Sequence, residues 1–229
     1  MPSIRTVNDV AILDLGADEN RFTPAWLDEF DQLLDWLLLD APRALVTTGS
    51  GKFYSNGLDV DESQGSTELE AGYVHQVHRL FRRILTLPMP TVAAINGHAF
   101  GGGALLAMAH DYRVMREDRG YFCFPEVNIG IPFTPGMAAL IQCKLDPRSA
   151  RDAMLTGRRT GGVEAVQAGL IDAAVEAGSL MAQATALATA HVPEHHGTLG
   201  TVKSVMYAEA LSALQLPHRQ QGQELRLPS

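Results

Sequence analysis

The stretch Thr91-Val92-Ala93-Ala94-Ile95-Asn96-Gly97-His98-Ala99-Phe100-Gly101-Gly102-Gly103-Ala104-Leu105-Leu106-Ala107-Met108 decides the fold. It opens with a short apolar run of the kind that makes a buried strand. Asn96-Gly97 reads as a turn, and the glycine run passes directly into an apolar helix. Three glycines at a helix start lose much backbone entropy on folding, and they leave bare N–H groups at the positive end of the helix. Such an end suits an oxyanion. Taken alone, the run is better explained by close packing of the helix on a neighbouring strand.

A second loop changes the balance. Ala44-Leu45-Val46-Thr47-Thr48 is another buried-strand run, and Tyr54-Ser55-Asn56-Gly57-Leu58-Asp59 follows it. One backbone N–H from each loop can converge on a single carbonyl oxygen, which is the arrangement of an oxyanion hole.

Outward from these loops the chain alternates strand and helix signals. Val10-Ala11-Ile12-Leu13-Asp14-Leu15 is a strand run closed by Gly16. Thr23 followed by Pro24 marks a helix start, Trp26, Phe30, Leu33, Leu34 and Leu37 recur at helical spacing, and Pro42 ends the segment. The spacing of Val74, Val77, Phe81, Ile84 and Leu85 predicts a helix over about 68–87, stopped by Pro88 and Pro90. Tyr112 to Met115 and Tyr121 to Phe124 flank the polar turn Glu117-Asp118-Arg119-Gly120 and are expected to pair as a hairpin. From Thr134 the chain is mostly helical. Gly169 is placed to end a helix before a run at 171–175, and alanine-rich helices are expected at 180–190 and 199–214. The fold class is α/β, and a single domain spans 1–229, with a core over about 1–175 and a helical C-terminal region over about 176–229.

The composition fits a chain that buries a core: 46% of the 229 residues are apolar and 19% charged, which argues against disorder and coiled coil. A net charge of −8 gives no field that attracts a nucleic-acid backbone or an anionic membrane, so a small-molecule partner is expected. Cys123 and Cys143 alone form no disulfide framework, which points to a reducing compartment. The first residues do not read as a secretory signal, no apolar run is long enough to span a bilayer, and Arg226-Leu227-Pro228-Ser229 is not a peroxisomal address. A cytoplasmic location is the expectation.

Other motifs are excluded by position. Gly49-Ser50-Gly51-Lys52 is no phosphate loop, because Val46 and Phe53 stand where it needs glycine and a hydroxyl residue. No G-x-G-x-x-G is complete, since Tyr54 and Ala104 or Leu106 occupy the last glycine's place. His75 with His78, and His195-His196, lack supporting ligands and read as solvated surface, so no metal is expected. His98 reads as a surface or hydrogen-bonded structural group.

The loops together resemble those of the crotonase superfamily, the enoyl-CoA hydratases and isomerases. Gly51 to Val60 resembles its first loop, and the resemblance makes Leu58 one oxyanion N–H donor. Ile95 to Gly103 resembles the second, which makes Gly102 the other donor. Phe124-Pro125-Glu126-Val127-Asn128-Ile129-Gly130 resembles a third segment and assigns Glu126 as the acid/base carboxylate. Further similarity runs through Leu155-Thr156-Gly157-Arg158 and Ala165 to Asp172. The resemblance implies a crotonase-like spiral of β-β-α units, a homotrimer or hexamer, and an acyl-CoA thioester substrate in which coenzyme A is part of the substrate and no separate cofactor is required. Asn56, Gly57, Leu105 and Phe133 are expected against the substrate; Arg79, Arg82 and Arg83 form a local basic patch that could meet the CoA phosphates, although a charge run on a helix is usually its wet face.

Hydratases of this superfamily carry a second glutamate in the helix after the glycine run, where this chain has Leu105. A leucine neither orients nor deprotonates water. Glu126 alone, beside an oxyanion hole, can still move a proton from C2 to C4 of a 3-enoyl thioester, and the resemblance is closest to Δ3,Δ2-enoyl-CoA isomerases. Hydration through Asp59 or Asp61, another acyl-CoA activity, and a non-catalytic acyl-CoA-binding role are the alternatives; Asp59 reads more simply as a cap on the turn after its loop.

Overall fold

The computed structural model describes residues 1–59, 67–194 and 196–217. Strands β1 (Ser3–Val7) and β2 (Val10–Asp14) form an antiparallel pair, followed by β3 (Arg21–Phe22) and helix α1 (Pro24–Asp40). Then come β4 (Ala44–Thr48), β5 (Phe53–Ser55), β6 (Gly57–Leu58) and α2 (Thr67–Leu85), and next β7 (Thr91–Ile95), β8 (His98–Phe100) and α3 (Gly102–Ala109). A third round supplies β9 (Tyr112–Arg116), β10 (Phe122–Cys123) and the short α4 (Glu126–Ile129). Helices α5 (Pro135–Lys144), α6 (Pro147–Thr156) and α7 (Gly162–Gln167) lead to β11 (Ala173–Val175). The C-terminal helices are α8 (Leu180–Ala190), α9 (His196–Met206) and α10 (Ala208–Ala213).

From β4 to β10 each round puts one strand in each of two sheets, while β3 and β6 pair in a separate two-stranded sheet. The large sheet has the order β1-β2-β4-β7-β9-β11 and is parallel beyond its first pair. The small one, β10-β8-β5, is parallel throughout. A chain that advances one strand per round in both sheets, with a helix returning, is the expected spiral of β-β-α units. The apolar runs are continuous because the large sheet is covered on both faces. Leu45, Ala93 and Ile95 face the main core, whereas Val46, Val92 and Ala94 face the side where Leu180, Ala184 and Ala188 of α8 pack.

Local signals placed the helices well. The Thr23 hydroxyl accepts the Trp26 N–H at 3.2 Å with Pro24 at the first helical position, and Ala41 closes α1 in a left-handed conformation before Pro42. Helix α8 occupies the expected 180–190, and Gly169 follows α7 with φ 69°.

Two expectations are corrected. Tyr112 to Met115 and Tyr121 to Phe124 do not pair with each other: β9 lies between β7 and β11, and β10 lies beside β8 in the other sheet. The polar turn is therefore the corner between sheets. Gly120, at φ 97°, packs on the equivalent corner at Gly97, where a methyl carbon would come within 2.5 Å of the Gly97 carbonyl oxygen. The helix expected over 199–214 is broken at Tyr207 into α9 and α10. The break lets the Tyr207 hydroxyl meet Lys144 Nζ at 2.9 Å and brings Leu214 onto Gly136 of α5. Among the described residues no helix is long and apolar enough to cross a membrane.

Candidate active site

The first loop is held from below by Asn20, itself in a left-handed conformation at φ 50°. Its amide donates to the carbonyls of Gly16 at 3.1 Å and Tyr54 at 2.9 Å. The Ser55 hydroxyl donates to the Asn20 carbonyl at 2.7 Å and accepts the Gly57 N–H at 3.0 Å. Beyond Leu58, the Asp59 N–H donates to the Tyr73 hydroxyl of α2 at 2.8 Å. The peptides on both sides of Leu58 are thus tied down.

This loop and the glycine run touch through their backbones. Gly57 has φ 79°, and a methyl carbon on it would stand 2.5 Å from Gly102 N and 2.8 Å from Phe100 O. A methyl carbon on Gly102 would stand 3.1 Å from Leu58 N, and one on Gly103 would strike the Ser55 carbonyl. The glycines do allow close packing, and the close packing is what brings Leu58 N beside Gly102. As the first residue of α3, Gly102 has no intrahelical acceptor for its N–H.

The third segment closes on the same place. Gly101 caps α3 at φ 51°, its N–H donates to Cys123 O at 3.0 Å, and a methyl carbon on it would lie 3.5 Å from Glu126 Oε1. Glu126 is 8% exposed, and among the described residues its Oε2 has no hydrogen-bond partner. Burial pushes its carboxyl up to about 7, against the opposing pull of its own backbone N–H. The result is a desolvated carboxyl group with a raised proton affinity, next to Gly101 at the start of α3.

The other candidate residues fall as follows. Leu105 is fully buried in the main core. Phe133 is half-buried and meets Phe124 edge-on at 6.2 Å between ring centres. Asn56 is drawn towards Glu19, its N–H on the Glu19 carbonyl at 2.8 Å and its amide on the carboxylate at 3.4 Å. His98 sits among the rings of Phe53, Phe100 and Tyr121, and burial, with Lys52, Arg159 and Arg119 nearby, lowers its pKa. Asp61 and the His195-His196 side chains lie outside the described residues.

One surface reading is corrected. His78 is 2% exposed, with Nε2 at 2.8 Å from the Thr134 hydroxyl and Nδ1 at 3.2 Å from the Leu214 carbonyl, so it joins α2 to α5 and to the end of α10. The signal was present: position 78 lies four residues after Val74 and three before Phe81, on the apolar stripe. Arg79 and Arg83 form ion pairs with α1. Arg79 pairs with Asp31 at 2.7 Å, and Arg83 pairs with Asp31 and with Asp35 at 2.6 Å. Asp31 and Asp35, four apart on α1, supply the opposing face. Asn20, Ser55 and Tyr73 were missed, because an Asn, a Ser and a Tyr acquire this role only through partners distant in sequence.

Comparison with known proteins agrees with this geometry. The family profile described as Enoyl-CoA hydratase/isomerase matches residues 7–226. The chain is 38% identical over 184 residues to enoyl-CoA delta isomerase 2, peroxisomal, of Arabidopsis thaliana, which covers 76% of this chain and 77% of that protein. The structure of human mitochondrial delta3-delta2-enoyl-CoA isomerase superposes with a TM-score of 0.86 at 25% identity, covering 93% of this chain and 85% of that one. Enoyl-CoA hydratase from Bacillus anthracis shares the fold, with a TM-score of 0.79 at 24% identity over 93% of this chain and 90% of that one. With a matching profile over nearly the whole length and relatives this similar, the chain belongs to the enoyl-CoA hydratase/isomerase family of the crotonase superfamily.

Proposed function

We propose that this protein is an enzyme that converts 3-enoyl-CoA thioesters to 2-enoyl-CoA thioesters. Glu126 as carboxylate takes the proton from C2. The C2–H electron pair moves into the chain, giving a dienolate whose oxygen is held by the N–H groups of Leu58 and Gly102. The protonated Glu126 then returns the proton to C4, and the double bond rests between C2 and C3. Gly57 and Asn56 border the thioester, Leu105 and Phe133 provide apolar surroundings for the acyl chain, and a homotrimer or hexamer in the cytoplasm is the working assembly.

The observation that carries the reading is the desolvated Glu126 carboxyl, its Oε2 without a hydrogen-bond partner among the described residues, against Gly101, with Leu105 where a second acid would stand. The isomerase relatives support the same choice. Incubating the protein with 3-enoyl and 2-enoyl thioesters in deuterated water tests it. Migration of the double bond with no 3-hydroxyacyl product is expected. A hydrated product would favour the hydratase reading. Binding without exchange of hydrogen at C2 would leave only an acyl-CoA-binding protein.

A further inference from the structure

Three polar side chains with no solvent exposure, Tyr54, Thr47 and His110, form a continuous chain inside the core. The Tyr54 hydroxyl is 2.8 Å from Thr47 Oγ1, Thr47 Oγ1 is 2.9 Å from His110 Nε2, and His110 Nδ1 is 2.8 Å from the Leu106 carbonyl. The far end fixes the direction of every bond. A carbonyl only accepts, so Nδ1 carries the proton and donates to Leu106. Nε2 is then a bare acceptor and takes the Thr47 O–H, which leaves the Thr47 oxygen to accept from Tyr54. His110 stays neutral throughout, since burial lowers its pKa to about 3.

The ends of this chain lie next to the two elements that carry the proposed donors: β5 leads directly into β6, which holds Leu58, and His110 is the C-cap of α3. Tyr54 is the middle residue of β5, three residues short of the peptide before Leu58. His110 follows α3, whose other end is Gly102. The pairing of β5 with β8 is irregular at this very point: Phe53 aligns with His98 and Ser55 with Ala99, so Tyr54 is a bulge residue without a ladder position. A bulged strand is not held in register by its backbone alone. The Asn20 amide holds the Tyr54 carbonyl, and the buried, fully directed side-chain chain adds a restraint on the Tyr54 side chain.

We propose that Tyr54, Thr47 and His110 are positioning residues, which hold the bulged strand β5 against the far end of α3 and thereby set the spacing of the Leu58 and Gly102 N–H groups. The inference rests on the oxyanion role proposed above. Thr47→Val keeps the shape and removes both side-chain bonds, and Thr47→Ser restores the hydroxyl. The readouts are steady-state isomerisation and the infrared carbonyl stretch of bound butanoyl-CoA, which reports donor alignment without turnover. In Thr47→Val, kcat is expected to fall about tenfold with KM changed less than about twofold, because alignment is lost but binding is kept. The carbonyl red shift shrinks in parallel, and Thr47→Ser recovers both. Tyr54→Phe, which removes one hydroxyl, gives the same pattern more weakly and serves if Thr47→Val fails to fold. A folded Thr47→Val or Tyr54→Phe with full kcat and full red shift overturns the proposal, as does a loss that serine does not restore. If the unaltered protein shifts the carbonyl but does not isomerise, the reaction proposed above fails, and a shift reduced in Thr47→Val still supports the positioning chain. No shift in the unaltered protein overturns both.

Discussion

At its first turn helix α3 meets a buried carboxyl group, Glu126, whose Oε2 has no hydrogen-bond donor among the described residues, whereas just past its last turn Asp111 Oδ2 has three. Those three are the Thr91 N–H at 2.8 Å, the Thr91 hydroxyl at 3.0 Å and Lys203 Nζ at 2.6 Å. Lys203 also donates to the Met89 carbonyl at 2.7 Å, which ties α9 to the spiral. Both ends hold a carboxyl group, and the difference lies in what surrounds it. At Asp111 charge-assisted bonds satisfy the ion and make it structural. At Glu126 desolvation dominates and raises the carboxyl's affinity for a proton, as the proposed proton transfer requires. One end of the helix is chemically closed and the other is open.

Removing the open end's acid should have the largest effect. In Glu126→Gln, the rate of double-bond migration is expected to fall by between about 10² and 10⁴-fold while acyl-CoA binding persists. Steady-state rates and a direct binding measurement check this, and retained turnover would erase the contrast between the two ends. At the closed end, Lys203→Met strands Asp111 without its cation and should destabilise the fold by about 3–5 kcal/mol. Urea unfolding reads the loss, and an unchanged midpoint would mean that Asp111 is as open as Glu126.

Smaller effects sharpen the comparison. Gly57→Ala introduces a carbon against Gly102 N at a positive φ, so kcat should fall about 10²-fold, near the loss of one oxyanion donor. A variant with normal kcat would show that the two loops need not touch. The raised pKa of Glu126 also has a stability consequence. Its folded-state pKa of about 7 lies above the unbound value of 4.5, so the wild type is favoured most below about pH 4.5, and that advantage is lost as pH rises through 7. Glu126→Gln is therefore expected to be more stable than wild type by about 2 kcal/mol at pH 8 and no more stable at pH 4, as measured by denaturant unfolding at each pH. On the kinetic side, kcat/KM of the wild type should fall about tenfold per pH unit below 7 and level off above it, following ionisation of the free enzyme's base.

Much of this was legible in the chain, and the exceptions share a cause. Buried strands announced themselves at Ala44 to Thr48 and Thr91 to Ile95 because a sheet covered on both faces needs apolar residues at consecutive positions. The cap at Thr23-Pro24 was readable because the bond it makes spans three residues. The hairpin expected around Glu117 to Gly120 was wrong because two strands and a turn read the same whether they pair with each other or part into different sheets. Choosing required the Gly97 and Gly120 corners to be stacked, which no local window contains. His78 was misjudged by residue type although its helical position pointed inwards. The ion pairs of Arg79 and Arg83 could not be read from the chain, because Asp31 and Asp35 stand on another helix.

The order of strands, turns and helices, and the glycines without which the loops would clash, follow from the amino-acid sequence, since these depend on neighbours within a turn or two of the chain. The company kept by Glu126 does not. Its burial, the nearness of Gly101, and the meeting of Leu58 with Gly102 depend on segments dozens of residues apart being packed together. A carboxyl group's proton affinity is set by the surrounding medium and nearby dipoles, and only the folded molecule supplies those.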